Sequence, residues 1–157
     1  MISAPWLHSL SHLGHVVPNL QQSMDDYTRA FGLRWAPVQK RITRVRSGDG
    51  EVTDVYLEIT WSIDGPVHIE LLQEAPGSVW TRAGDQPFHH ICYWVEDLDT
   101  EAARLRSAGF RLEVTADGER ELNRFAYFVG PDGIRVEPKP EASRPANERW
   151  LAGGALD

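Results

Sequence analysis

At 157 residues the chain has the length of one ordinary domain, and a composition 41% hydrophobic and 25% charged supplies a core without cross-links. A net charge of −7 works against a phosphate-backbone partner, because nucleic-acid affinity comes largely from clustered Lys and Arg. The single cysteine, Cys92, allows no intrachain disulfide, MISAPWLHSL has no basic segment followed by an apolar run, and no window nears about 18 apolar residues, so the expectation is a cytoplasmic protein with no membrane partner.

Residues 8–17 (HSLSHLGHVV) alternate as a strand, which Pro18 and Asn19 stop. Asn19 is placed to cap a helix in LQQSMDDYTRAF, with Leu20, Met24, Tyr27 and Phe31 at helical spacing and Gly32 at its end. Three strand-like runs follow, LRWAPVQKRITRVR, EVTDVYLEITWS and PVHIELLQ, separated by SGDG and IDG turns. The basic stretch Lys40–Arg46 within the first of them alternates charged and apolar residues and reads as a solvated strand edge. After a connection over residues 74–86, FHHICYWV is a strand, Asp97 or Asp99 can cap the helix LDTEAARLRSAG, and FRLEVTA, RFAYFVG and GIRVEPK supply three more strands. Residues 139–157, rich in Pro, Ala and Gly, read as a tail that Trp150 and Leu151 dock on a neighbouring surface.

Both halves therefore read βαβββ, over about 8–73 and 87–138, and the letters repeat as well as the pattern. HLGHVVPNL at 12–20 lies against HICYWVEDL at 90–98, and IDGPVHIEL near residue 70 against PDGIRVEP near residue 137. The repeated positions are metal-ligand types: His12 and His90 on the first strand of each half, Glu70 and Glu137 on the last. Two imidazoles and two carboxylates suit a borderline divalent cation such as Zn, Ni, Co, Mn or Fe(II), and the lack of thiolates excludes softer sites. Strand parity places all four on the face away from the helices, because Leu13, Val17, Ile91, Tyr93, Ile69, Leu71, Ile134 and Val136 form apolar faces opposite them.

These features, H-[LI]-x-x-x-V-x-[ND]-L opening each half and IEL or VEP closing it, resemble the vicinal oxygen chelate superfamily, which includes glyoxalase I, methylmalonyl-CoA epimerase, extradiol dioxygenases and antibiotic-resistance proteins. The resemblance covers roughly residues 8–138 and departs at Pro138, where a hydrophobic residue usually follows the last glutamate. It implies a single α+β domain whose two βαβββ modules form a curved, cup-like mixed sheet around a metal held by His12, Glu70, His90 and Glu137. It also implies an isomerase or lyase that moves a proton next to a carbonyl through an enediolate; Glu137 by position, or Glu58 by strand parity, is the expected base. An Fe(II) ring-cleaving dioxygenase and a metal-free antibiotic-binding protein are the alternatives. The first would leave Glu70 in excess of two His and one carboxylate, and the second would not need all four ligands.

Further residues are candidates for the small-molecule pocket. In VYLEITW, the apolar set Val55, Leu57, Ile59 and Trp61 is read as facing away from the cavity, leaving Tyr56, Glu58 and Thr60 toward it. Arg135 shares parity with Glu137 and suits a substrate carboxylate or phosphate, as does Arg124. His68 shares parity with Glu70, whereas His15 and His89 have helix-facing parity and read as structural. Trp35, Tyr56, Trp94 and Phe128 suggest an aromatic cavity, with Trp80 in the connection above it. A homodimer is expected from the open sheet edges of a cup and from the tail tryptophan.

Overall fold

Asn19 and Asp97 stand in extended backbone, and each turns a side-chain oxygen onto the helix that follows: Asn19 Oδ1 accepts from the Gln22 amide at 3.0 Å and Asp97 Oδ1 from that of Thr100 at 2.7 Å. Each cap satisfies an amide that the first helical turn leaves without a partner. They open α1 (Leu20–Phe31) and α2 (Leu98–Ser107), and Gly32 ends α1 in the left-handed region at φ 70°. The computed structural model describes residues 9–156, so His8, with which the sequence reading opens the first strand, and Asp157 lie outside the described residues. The first half runs β1 (Leu10–Val17), α1, β2 (Gln39–Ser47), β3 (Val52–Trp61) and β4 (His68–Gln73). The second runs β5 (Phe88–Val95), α2, β6 (Arg111–Ala116), β7 (Ala126–Val129) and β8 (Arg135–Pro140).

The fold is α+β, and its mixed sheet closes on itself in the order β1-β4-β3-β2-β6-β7-β8-β5. That order is unchanged when the halves are exchanged, so an approximate two-fold axis passes between β1 and β5 on one side and β2 and β6 on the other. β1 and β5 pair antiparallel, and each has the last strand of its own half, β4 or β8, as a parallel neighbour. The four strands that carry the candidate ligands are thus contiguous.

The helices pack outside the barrel. α1 sets Leu20 against Val17 and Leu71, and α2 sets Leu98, Ala102 and Leu105 against Ala126 and Phe128. Opposite parity on these strands points His12, His90, Glu70 and Glu137 inward. Neither α1 nor α2 covers β2 and β3, whose outer residues Lys40, Ile42, Arg44, Asp54 and Tyr56 are exposed to water. The apolar set of β3 therefore points inward, where Val55, Leu57, Ile59 and Trp61 join Val16, Leu72 and Val114 in the barrel core, while Ile42 of β2 stays exposed outside. This corrects the face assigned to VYLEITW: Tyr56 is exposed on the outside.

Two further segments differ from the sequence reading. Residues 33–38 are a connection rather than the start of β2, since Pro37 has no amide to give a ladder. The tail folds: a 3₁₀ turn (Glu141–Ser143) leads into α3 (Arg144–Leu151), with Pro145 in the first helical turn where no amide is needed. α3 buries Trp150 completely; its Nε1 donates to the Pro37 carbonyl at 2.8 Å, and its ring lies 5.5 Å from that of Trp61. Trp150→Ala should cost about 3–5 kcal/mol of stability, read from the denaturant midpoint. A loss below about 1 kcal/mol would show that α3 is not an integral part of the fold. Trp150 sits inside its own chain and the described strands close into a barrel, so neither the tail tryptophan nor an open edge supplies the surface on which a homodimer was expected. No helix among the described residues is long and apolar enough to cross a membrane.

Candidate metal centre and active site

Four side chains meet on the inner wall where the halves join. His12 Nε2 and His90 Nε2 are 3.0 Å apart. Glu70 Oε2 lies 3.4 Å from the first and 3.2 Å from the second, and Glu137 Oε2 lies 3.2 Å from each. Both imidazoles are fully buried and both carboxylates nearly so. Because β4 and β8 flank the β1–β5 pair, Glu70 and Glu137 approach the two histidines from opposite sides.

The chemistry of this donor set fits a divalent cation. Around such an ion, with ligands at about 2.0–2.2 Å, neighbouring donor atoms stand roughly 2.8–3.6 Å apart, and all five distances fall in that range. The ligand atoms of His12, His90 and Glu137 lie within 4.8 Å of one another. Glu70 Oε1 accepts from Trp61 Nε1 at 2.8 Å, but Glu70 Oε2 is buried and faces only the two imidazole nitrogens. A buried carboxylate oxygen left this way calls for a cation.

Hydrogen bonds also fix which imidazole nitrogen is bare. His89 Nε2 is 2.7 Å from the Val79 carbonyl, which can only accept, so Nε2 carries the proton and His89 Nδ1 is the acceptor. His90 Nδ1, 2.9 Å away, must then donate to it, which leaves the His90 Nε2 lone pair facing the site. Burial, then the neighbouring His90 and Arg135, push His89 down to about 3, so the relay stays neutral. Ser11 Oγ, 3.3 Å from His12 Nδ1, offers an acceptor for the same tautomer. His89 reaches this position through a β-bulge: Gly14 pairs with His90 but His15 with Phe88, so His89 is the extra residue and is turned away from the helix side. The sequence reading assigned it the regular parity.

Gly14 makes room for the ligand opposite it. A Cβ there would stand 2.0 Å from His90 Cε1 and 2.3 Å from Nδ1. Gly14→Ala should therefore displace the His90 ring and weaken metal binding by roughly 10–100-fold, the range for losing an oriented ligand's support, although residue 14 touches no metal. Unchanged affinity by competition with a chelating dye would refute the assignment of His90.

Electrostatics couple the four groups. Burial alone would lower His12 and His90, but Glu70 and Glu137 outweigh it and hold both above the ordinary value. Burial would likewise raise the two glutamates, yet the histidines hold Glu70 and Glu137 below theirs. Cys92 is also in this layer, but burial and Glu137 push its thiol well up, so it offers no thiolate.

A cavity of about 170 Å³ opens above the centre, walled by Leu57, Ile59, Trp61, Trp80, Tyr127 and Trp150. Glu58 is not in it: it points outward and pairs with Lys40 at 3.2 Å. Tyr56 is outside too, Phe128 lies under α2, and Trp35 bonds to α1 through the Met24 carbonyl. Trp94 is buried beside the cavity under Lys139 and Arg144, and His68 stacks behind Trp61 at 5.8 Å. Arg135 is held by Glu113 at 2.6 and 2.8 Å, in a separate groove. His15 bonds Tyr27 on α1 as a structural residue. Of the residues proposed for the pocket, Arg124 and Trp80 line the cavity. Trp61, Tyr127, Arg41 and Lys139 also line it and were missed. Parity with Glu137 would have found Lys139, and parity opposite to Lys40 would have found Arg41.

Comparison with known proteins bears on this geometry. The family model described as Glyoxalase/Bleomycin resistance protein/Dioxygenase superfamily matches residues 11–128. A 2-epi-5-epi-valiolone epimerase of Actinomyces sp is 26% identical over 148 residues, covering 85% of this chain and 79% of that protein. Among solved structures, the methylmalonyl-CoA epimerase from Mycobacterium tuberculosis aligns with TM-score 0.60 at 20% identity, covering 94% of this chain and 97% of that one. A methylmalonyl-CoA epimerase in complex with methylmalonyl-CoA and NH4+ aligns with TM-score 0.58 at 18% identity, covering 86% and 95%. With most of its length matched by the family model, the chain belongs to the Glyoxalase/Bleomycin resistance protein/Dioxygenase superfamily, the vicinal oxygen chelate proteins that its doubled sequence resembles.

Proposed function

We propose that the protein is a metal-dependent isomerase of the epimerase type, acting at the carbon next to a carbonyl in a small substrate. The observation that carries this is the pair of buried carboxylates, Glu70 and Glu137, set on opposite sides of two facing imidazoles at the floor of one cavity. Inverting a stereocentre requires removing a proton from one face of a carbon and returning one to the other. Two symmetry-related carboxylates suit that requirement better than one would.

His12, Glu70, His90 and Glu137 would hold the cation, and Zn, Ni, Co, Mn and Fe all accept two imidazoles and two carboxylates. When bound, the cation supplies Lewis acidity to a carbonyl and so acidifies the adjacent C–H. The Glu137 carboxylate takes the proton in this reading, on an oxygen not given to the cation, and Glu70, oriented by the Trp61 N–H, serves the opposite face. Trp61, Trp80 and Trp150 wall the cavity with apolar rings that keep bulk water from the carbon between the carboxylates. The epimerase names of the Actinomyces relative and of the structural neighbours support the reaction class.

The test is deuterium incorporation at the α-carbon in D2O, using the metal-loaded protein and a panel of a 2-methyl-branched malonyl thioester, a polyhydroxy cyclic ketone and a hemithioacetal. Exchange that stops on chelation and returns with metal is expected. No exchange with any of the three at full metal occupancy would overturn the proposal, and O2 uptake with Fe(II) and a catechol would replace it with ring cleavage.

A further inference from the structure

We propose that Arg41, Arg124 and Lys139 form an oxyanion subsite in the cavity, so that the substrate carries a carboxylate or phosphate beside its reacting carbonyl. All three line the same cavity as Glu70 and Glu137, and no other acidic residue does so among the described residues. The placement of the carbonyl rests on the proposed function; the anion subsite does not.

The charge balance carries the inference. A divalent cation matches Glu70 and Glu137, which leaves three positive side chains uncompensated in a chain whose net charge is −7. Elsewhere on β2, cations are paired: Lys40 with Glu58, and Arg44 with Asp54 and Asp117. Arg41, half-buried and of opposite parity, has no ion-pair partner among the described residues, and neither does Arg124. Burial and then the neighbouring Arg124 push the Arg41 guanidinium down, more than Glu70 across the cavity raises it, as expected of two like charges held together with no ion-pair partner beside them. Lys139 is aimed into the cavity by its seat over the Trp61 ring at 4.8 Å and by Asn147 Oδ1 at 3.4 Å.

The backbone supports a functional reason for this arrangement. Arg124 has φ 33°, the single non-glycine residue with positive φ among those described. Thr115 Oγ1 holds the strained segment on both sides, donating to the Phe125 carbonyl at 2.8 Å and accepting from the Asn123 amide at 3.2 Å. A long cation at a position that favours Asn or Gly is costly unless its side chain is needed there.

The probes are succinate and methylphosphonate, small oxyanions of the two kinds, with neutral succinamide as control, titrated calorimetrically into the metal-loaded protein. One of the two anions should bind with an affinity that falls with added NaCl, and which one binds assigns carboxylate or phosphate. Arg41→Gln and Arg124→Asn should each weaken it by roughly tenfold or more, the worth of a charge-assisted hydrogen bond, with metal content unchanged. Arg124→Asn suits the positive φ and so keeps the fold, and Arg41→Lys should retain most of the affinity. The subsite is overturned if neither anion binds, if succinamide binds as well as succinate, or if the variants bind as tightly as the parent. Anion binding that depends on these arginines, without proton exchange on any carbonyl substrate, would sink the isomerase reading and leave the subsite standing.

Discussion

Glu137→Gln should slow metal-dependent α-proton exchange by roughly 10²–10⁴-fold, the usual worth of a positioned base. The amide keeps the shape of the side chain and an oxygen that can face the cation, but it cannot take a proton. Metal binding will also weaken, so the rate must be compared at saturating metal, with occupancy measured by elemental analysis. Glu70→Gln should slow return of the proton to the opposite face, seen as deuterium incorporated with retention rather than inversion. Glu58→Gln serves as the control, because Glu58 lies on the outer face against Lys40 and should change the rate little. Full activity of Glu137→Gln at saturating metal, or loss of activity in Glu58→Gln, would reverse the assignment of the base.

The second large effect is on metal affinity. His12→Ala and His90→Ala should each weaken binding by at least about 100-fold, beyond the upper end of what losing an outer partner costs. His89→Leu should fall within that outer-partner range, roughly 10–100-fold, because it frees the tautomer of His90 without removing a ligand. Calorimetry with Zn(II) separates the three variants, and equal affinities would dismantle the whole centre.

The pH dependence follows from the same groups. In the metal-free protein His12 and His90 are raised, so their ion pairs stabilise the fold fully below the unfolded imidazole value of 6.5 and lose that contribution as pH rises through their folded values. Glu70 and Glu137 are lowered, so theirs is present above the ordinary 4.5 and is lost as pH falls through their folded values. Metal needs the histidines unprotonated. The gain in Tm on adding Zn(II) should therefore grow between pH 6 and 8, which differential scanning fluorimetry can follow. A gain that shrinks over that interval would mean the cation does not displace protons from these imidazoles.

How much of this was legible in the sequence differed by element, for identifiable physical reasons. The duplication marked His12, Glu70, His90 and Glu137 at once, because equivalent strands of a doubled unit must face the same axis. Alternation on β3 was equally clear, but its direction was not. An apolar face lies inward when nothing covers the strand outside, and helix placement depends on which strands neighbour one another, which no local pattern states. Glu58 and Tyr56 were misplaced for that reason. His89 escaped because a single bulge at the start of β5 breaks the parity on which the reading relied. α3 escaped because Arg144–Leu151 is short and polar and docks chiefly through Trp150, whose partners Pro37 and Trp61 are remote in sequence.

The walls of the cavity have an optical consequence. Three of the chain's six tryptophans, Trp61, Trp80 and Trp150, line it, and Trp61 donates to Glu70, one of the proposed metal ligands. Indole emission responds to charge and to hydrogen bonding at its nitrogen, so the protein contains its own spectroscopic probe of the centre. Zn(II), with a closed d shell, should shift the emission of Trp61, whereas Co(II) or Ni(II) should quench it. Occupancy could then be followed in the unlabelled chain during turnover, and exchange of one cation for another would be visible as a change in brightness.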